Sequence, residues 1–175
     1  MDSNVDGRPA KRDWYVLHVT PRTEKKVARI MAAYRYFCHL PLYVKITKVQ
    51  RRKVRRELPV FPGYIFTKLF ADERVEMLKT NLVVRTINVR NPRRMIHQLR
   101  QVANVSKGIL NEIRTTEVFE AGEYVRITSG PFRGTEGYVK RTGRDAKLCL
   151  NVDILGTAIE VTVSPVDVEK ADRPT

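Results

Sequence analysis

Residues 59–69, Pro59-Val60-Phe61-Pro62-Gly63-Tyr64-Ile65-Phe66-Thr67-Lys68-Leu69, constrain the fold more than any other stretch of the chain. Val60, Phe61, Tyr64, Ile65, Phe66 and Leu69 make a dense apolar run of β-favouring types, the composition of a central strand. Two prolines and a glycine open it, so a stiff turn comes first and strand pairing begins only at Tyr64. Directly before it, Lys45 to Glu57 is the most basic stretch of the sequence. A rigid aromatic turn beside a cationic arm suits a strand that builds both a core and a docking surface.

The cationic excess is local. The 175 residues carry a formal net charge of +14, yet residues 1–115 hold 25 Lys/Arg against 9 Asp/Glu while residues 116–175 hold 8 against 10. One part is matched to a polyanion and the other is not, which argues for two modules. A hydrophobic content of 42% supports a true core. Cys38 and Cys149 fall one in each module and make neither a disulfide framework nor a four-ligand zinc set, so a reducing cytoplasm is the simpler reading. Residues 1–12 read as a polar tail without a signal-peptide core, and no stretch is long and apolar enough for a membrane span.

Along the chain, Trp14-Tyr15-Val16-Leu17-His18-Val19 reads as a buried first strand. Thr20 as cap and Pro21 as first residue start a helix, with Val27, Ile30, Met31, Tyr34 and Phe37 at helical spacing and Pro41 as its stop. Leu42 to Val54 alternates Val44, Ile46 and Val49 with Lys45, Lys48 and Arg51, the pattern of a strand with one cationic face, ending in a basic tip at Arg51–Arg56. After the central strand come a short helix from Asp72 to Lys79 packing on Val75 and Leu78, a strand from Leu82 to Val89, and a helix from Asn91-Pro92 with Ile96, Leu99 and Val102 on one side. The order β-α-β-β-α-β-α predicts an α+β fold: a ferredoxin-like split βαβ sandwich with an added helix. From Gly122, short β-rich runs at Tyr124–Thr128, Glu136–Arg141, Lys147–Val152 and Ala158–Val163 alternate with turn signals and predict a small all-β barrel.

Phe61-Pro62-Gly63-Tyr64, the opening Trp14-Tyr15-Val16 and the distal Val125-Arg126-Ile127-Thr128-Ser129-Gly130-Pro131-Phe132 give the chain a resemblance to the NusG family of transcription elongation factors. The likeness covers residues 13–170 in the family's order. It implies a tail (1–12), a NusG N-terminal domain (13–105), a linker (106–118) and a KOW domain, an SH3-like barrel (119–172). Gly122, Gly130, Gly134 and Gly137 match the family's glycine pattern in that barrel. The family's partners are implied with it: RNA polymerase, gripped at the coiled coil of its clamp, and a small-subunit ribosomal protein or the termination factor Rho on the barrel.

The resemblance places Phe61 and Tyr64, with Trp14 across the sheet, on an apolar patch that takes the polymerase helices through rigid aromatic anchors. Ordinary core packing is the competing account of each ring. In the arm, Lys45, Lys48, Arg51, Arg52, Lys53, Arg55 and Arg56 put seven cations in twelve positions, with Arg93 and Arg94 further on. Such density calls for a polyanion, here non-template DNA or nascent RNA, although a solvated hairpin tip has the same composition. No aromatic residue interleaves the arm's tip, so base stacking is not indicated there. Phe132 and Arg133, at the tip of a turn, are the barrel's contact candidates. His18, His39 and His97 have no nucleophile or carboxylate at an informative spacing, and no phosphate loop or metal-ligand set is present, so neither catalysis nor a cofactor is expected.

These readings converge on a monomeric, cytoplasmic transcription elongation factor that modulates pausing and termination. The charge excess favours a specialised antiterminator, RfaH-like or of the kind serving polysaccharide and secondary-metabolite operons, over a housekeeping member. A ribosome-associated RNA-binding KOW protein is the alternative of a different class, and the net-acidic second module weighs against it.

Overall fold

The computed structural model describes residues 11–50, 52–106, 114–117, 122–129, 133–142, 145–163 and 168–173. The first half runs β1 (Asp13–Val19), α1 (Glu24–Ala33), β2 (Phe37–His39), β3 (Leu42–Val49), β4 (Arg52–Pro59), β5 (Tyr64–Leu69), α2 (Ala71–Lys79) and β6 (Val83–Asn88). Then follow α3 (Pro92–Ser106), β7 (Arg114–Glu117), β8 (Glu123–Ile127), β9 (Glu136–Thr142), β10 (Asp145–Val152), a 3-10 turn (Asp153–Leu155), β11 (Thr157–Val163) and β12 (Val168–Lys170). The protein is an α+β chain in two units, residues up to 41 with 61–92, and 42–60 with 93 onward.

In the first unit the sheet order is β2-β5-β1-β6, with antiparallel neighbours throughout, the split βαβ arrangement. Tyr15, Leu17 and Val19 of β1 alternate onto the same side as Ile65 and Leu69 of β5, and there they meet Val27 and Met31 of α1 and Met77 of α2. Each such side chain withdrawn from water contributes ~1.5–3 kcal/mol. The opposite side of the sheet carries Trp14, Val16, His18, Tyr64 and Phe66.

Three local expectations are corrected here. Thr20 and Pro21 do not start α1; the chain turns through Arg22 at φ 66°, the Thr23 hydroxyl donates to Thr20 O at 2.7 Å, and the helix begins at Glu24. The helix also ends early, because Arg35 at φ 58° takes the left-handed conformation that stops it, and Phe37 becomes part of an edge strand. On α2, Leu78 packs against the core as expected, but Val75 is 43% exposed, and the buried positions are Glu73 and Met77.

The second unit contains the hairpin β3–β4, helix α3 and a sheet of order β12-β8-β9-β10-β11-β7. Its core is Val125, Ile127, Val139, Leu148, Leu150, Val152, Ile159 and Val161. Strand β7 lies inside the segment expected to be a linker and pairs with β11. Along α3, Met95, Leu99 and Val102 are buried, and an adjacent stripe reaches the β-rich sheet through polar contacts. Gln98 donates to Asp153 Oδ2 (2.8 Å) and accepts from Asp153 N (3.2 Å), Arg94 pairs with the same carboxylate, and Gln101 accepts from Glu136 N (3.0 Å).

Gly137 is the tightest point of that sheet. A Cβ added there would stand 2.6 Å from Cys149 O and 2.8 Å from Leu150 Cδ2, so β9 and β10 pack this closely only with glycine present. Gly137→Ala is expected to destabilise the β-rich sheet by ~1–3 kcal/mol, the scale of overpacking in a filled core. A thermal melt followed by far-UV circular dichroism checks this, with an unchanged midpoint as the adverse result.

Candidate functional site

The Pro59–Gly63 turn is fixed from two sides. Gly63 takes φ 83°, Tyr64 N donates to Phe61 O (3.2 Å), and Val19 N donates to Gly63 O (2.8 Å), which ties the turn to β1. Gly63 N donates to Glu24 Oε1 at 2.8 Å. Glu24 is only 5% exposed and sits in the first turn of α1, where the helix dipole favours a carboxylate. Glu73 does the same for α2: it accepts from Phe70 N (2.9 Å) and holds the Arg12 guanidinium in a fork at 2.6 and 3.1 Å. Each helix of this unit is therefore anchored at its first turn by a buried glutamate reaching outside it.

On the face of the sheet opposite α1 and α2, register arranges the side chains in rows. Phe37, Lys68 and Trp14 form one row, His39, Phe66, Val16 and Ile87 the next, and Tyr64, His18 and Arg85 the third. The middle row is sealed at Phe66 and Val16, and Phe61, 2% exposed, packs edge-on against Phe66 at 5.9 Å. The outer rows are open. Trp14 meets Phe37 edge-to-face at 5.4 Å with Phe37 48% exposed, and Tyr64 stacks on His18 at 5.1 Å. Burial lowers the pKa of His39 below the ordinary imidazole value, which favours the neutral ring in the middle row. Of the three aromatics singled out from sequence, Trp14 and Tyr64 are half-buried on this side, about 13 Å apart along the strands at ~3.3 Å per residue, and Phe61 lies in the core beneath. Phe37 was hidden from sequence reasoning because its helical spacing with Tyr34 masked a three-residue strand.

The basic arm is a two-stranded ribbon. Lys45 stands opposite Arg56, Thr47 opposite Val54, Lys48 opposite Lys53, and Ile46 opposite Arg55. Because side chains alternate between faces, Lys45, Arg52 and Arg56 share one face while Lys48, Lys53 and Arg55 share the other. The expectation of a single cationic face is thus corrected: the apolar-basic alternation breaks at Thr47-Lys48, which shifts the charge across the ribbon. Glu57 is the hairpin's one carboxylate. Arg51 lies outside the described residues.

Arg93 is exposed, whereas Arg94 spends its charge on Asp153 at 2.5 Å and is part of the α3 contact. Arg133 is exposed beside Gly134, and Phe132 lies outside the described residues. On the β-rich sheet, Tyr124 packs edge-on against Tyr138 at 5.2 Å, and burial pushes the Tyr124 hydroxyl up to about 12. Among the described residues no cluster of His, Cys, Asp and Glu would hold a metal ion, and no helix is long and apolar enough to cross a membrane.

Open aromatic rows on a sheet and a ribbon of exposed cations are the equipment of a protein that binds macromolecules. Residues 12–115 match the sequence profile of a family described as transcription termination factor NusG, and the chain belongs to the NusG family. It is similar along most of its length to proteins named transcription termination/antitermination protein NusG. That of Borreliella burgdorferi is 29% identical over 181 residues, covering 91% of this chain and 98% of the relative. Those of Rickettsia bellii (25% over 174 residues, 92% and 91% covered) and Escherichia coli O6:H1 (26% over 183 residues, 92% and 97% covered) are comparable. The protein is accordingly a transcription termination/antitermination factor.

Removing the Glu24 carboxylate strands the Gly63 N–H in a buried site, a loss of ~1–3 kcal/mol. Glu24→Ala is therefore expected to lower the denaturant midpoint well below that of Glu24→Gln, which keeps an acceptor oxygen. Equal midpoints for the two variants would show that the bond to Gly63 contributes nothing.

Proposed function

We propose that the chain rides transcribing RNA polymerase and adjusts pausing and termination by favouring one state of the enzyme. The observation that carries this reading is the pair of partly exposed aromatic rows, Trp14–Phe37 and Tyr64–His18, on the face of the split βαβ sheet opposite α1 and α2. A coiled coil, such as that of the polymerase clamp, docks through a few rigid rings of this kind, which carry most of the binding energy. Phe61 braces the row from below, and Trp14, Phe37 and Tyr64 make the contact. The ribbon cations Lys45, Lys48, Arg52, Lys53, Arg55 and Arg56 hold nucleic acid on the same complex, with Arg51 and Arg93 adding to them.

The β-rich sheet of the second unit is read as a KOW barrel of the SH3-like kind that presents Phe132 and Arg133 to a small-subunit ribosomal protein or to Rho. The strength of the cationic ribbon favours a specialised antiterminator over a housekeeping factor, since a strongly basic surface captures a nucleic-acid element that a plain elongation factor passes by.

Phe37→Ala combined with Tyr64→Ala is expected to weaken co-purification with RNA polymerase by tenfold or more, at about 1–2 kcal/mol or more per anchor. Val75→Ala, on exposed α2, is the control. Binding of the double variant within twofold of the parent, with the fold intact, would remove the docking role from this side of the sheet.

A further inference from the structure

We propose that the β3–β4 ribbon takes B-form duplex DNA, entering the major groove edge-on with one cationic face against each phosphate wall. This rests on the nucleic-acid reading of the ribbon above and names the form of nucleic acid it accepts. Two like-charge pairs stand directly opposed, Lys45 with Arg56 and Lys48 with Lys53, and they lie on opposite faces. Such pairs work against hairpin formation. Among the described residues none of the six ribbon cations has an ion-pair partner.

A ligand following one face leaves the three cations of the other unneutralised. A single strand is such a ligand. Two antiparallel phosphate backbones on either side of the ribbon neutralise both faces at once. Dimensions agree: the B-DNA major groove, about 12 Å wide and 8.5 Å deep, admits a two-stranded ribbon, whereas the A-form major groove is too deep and narrow for side chains to read. The ribbon is a separate two-stranded sheet, so the outer edge of the strand that enters first carries backbone donors and acceptors that would face the groove floor. Its cationic half, Lys45–Lys48 with Lys53–Arg56, holds no aromatic residue on which an unpaired base would stack.

The test measures fluorescence anisotropy of the full-length chain with a labelled DNA duplex, one of its strands alone, and the RNA duplex of the same sequence, each across a salt series. Duplex DNA is expected to bind at least tenfold more tightly than either other probe. K45A/R56A and K48A/K53A should each reduce the salt slope by about 1.8 and weaken duplex binding roughly 50-fold at 0.1 M salt. Neither should lower the melting temperature, since each removes a like-charge pair. A slope reduced by only one of the double variants, or either other probe matching the DNA duplex, would overturn the groove assignment while leaving the ribbon a nucleic-acid site; slopes unchanged by both would remove that role as well. Failure of all three probes to bind would overturn both.

Discussion

A single hydrogen bond, from the Gly63 amide to the buried Glu24 carboxylate, joins the first helix to the turn that launches the central strand. Gly63 is left-handed, its carbonyl accepts from Val19, and Tyr64 closes the turn onto Phe61. With the turn held this way, β5 enters the sheet in register with β1, sending Ile65 and Leu69 to the helices and Tyr64 and Phe66 to the other side. A shift of one residue would exchange those sets and turn Tyr64 and Phe66 toward the helices. The register of this strand and the surface offered to a partner are one constraint.

The sequence was most informative where composition is extreme. Tyr64 to Leu69 and Trp14 to Val19 read plainly as strands, and the glycine-punctuated runs after Gly122 announce β structure. It was least informative where two periodicities overlap. Tyr34 and Phe37 continue the spacing of α1, and only the left-handed Arg35 ends it; side-chain pattern carries no trace of that backbone choice. Exposure was equally obscure: Phe66 is chemically identical to Phe37, yet the first is sealed and the second open, a difference set by row position in a sheet whose order is not written locally. The hairpin in the basic arm was missed as a pair of strands because Gln50 turns at φ 46° without glycine or proline to mark it.

Charge in this chain is partitioned by use. Cations that serve the fold are paired: Arg12 in the fork of Glu73, Arg94 on Asp153, Arg126 on Glu136. Partly exposed pairs of this kind fix geometry more than they stabilise. Ribbon cations are arranged the opposite way, like against like, at a cost to the hairpin. An external polyanion would offset that cost, which is why the nucleic-acid role is proposed for this ribbon. The α3 contacts with Asp153 and Glu136 show paired charge and polar groups joining the helix to the β-rich sheet.

Photo-crosslinking in a reconstituted elongation complex tests the docking face most directly. A benzophenone side chain at position 37, on the open aromatic row, should crosslink to RNA polymerase, and the same group at position 75, on exposed α2, should not. Crosslinks from position 75 with none from position 37 would place polymerase on the α2 side of the sheet and contradict the docking face proposed above.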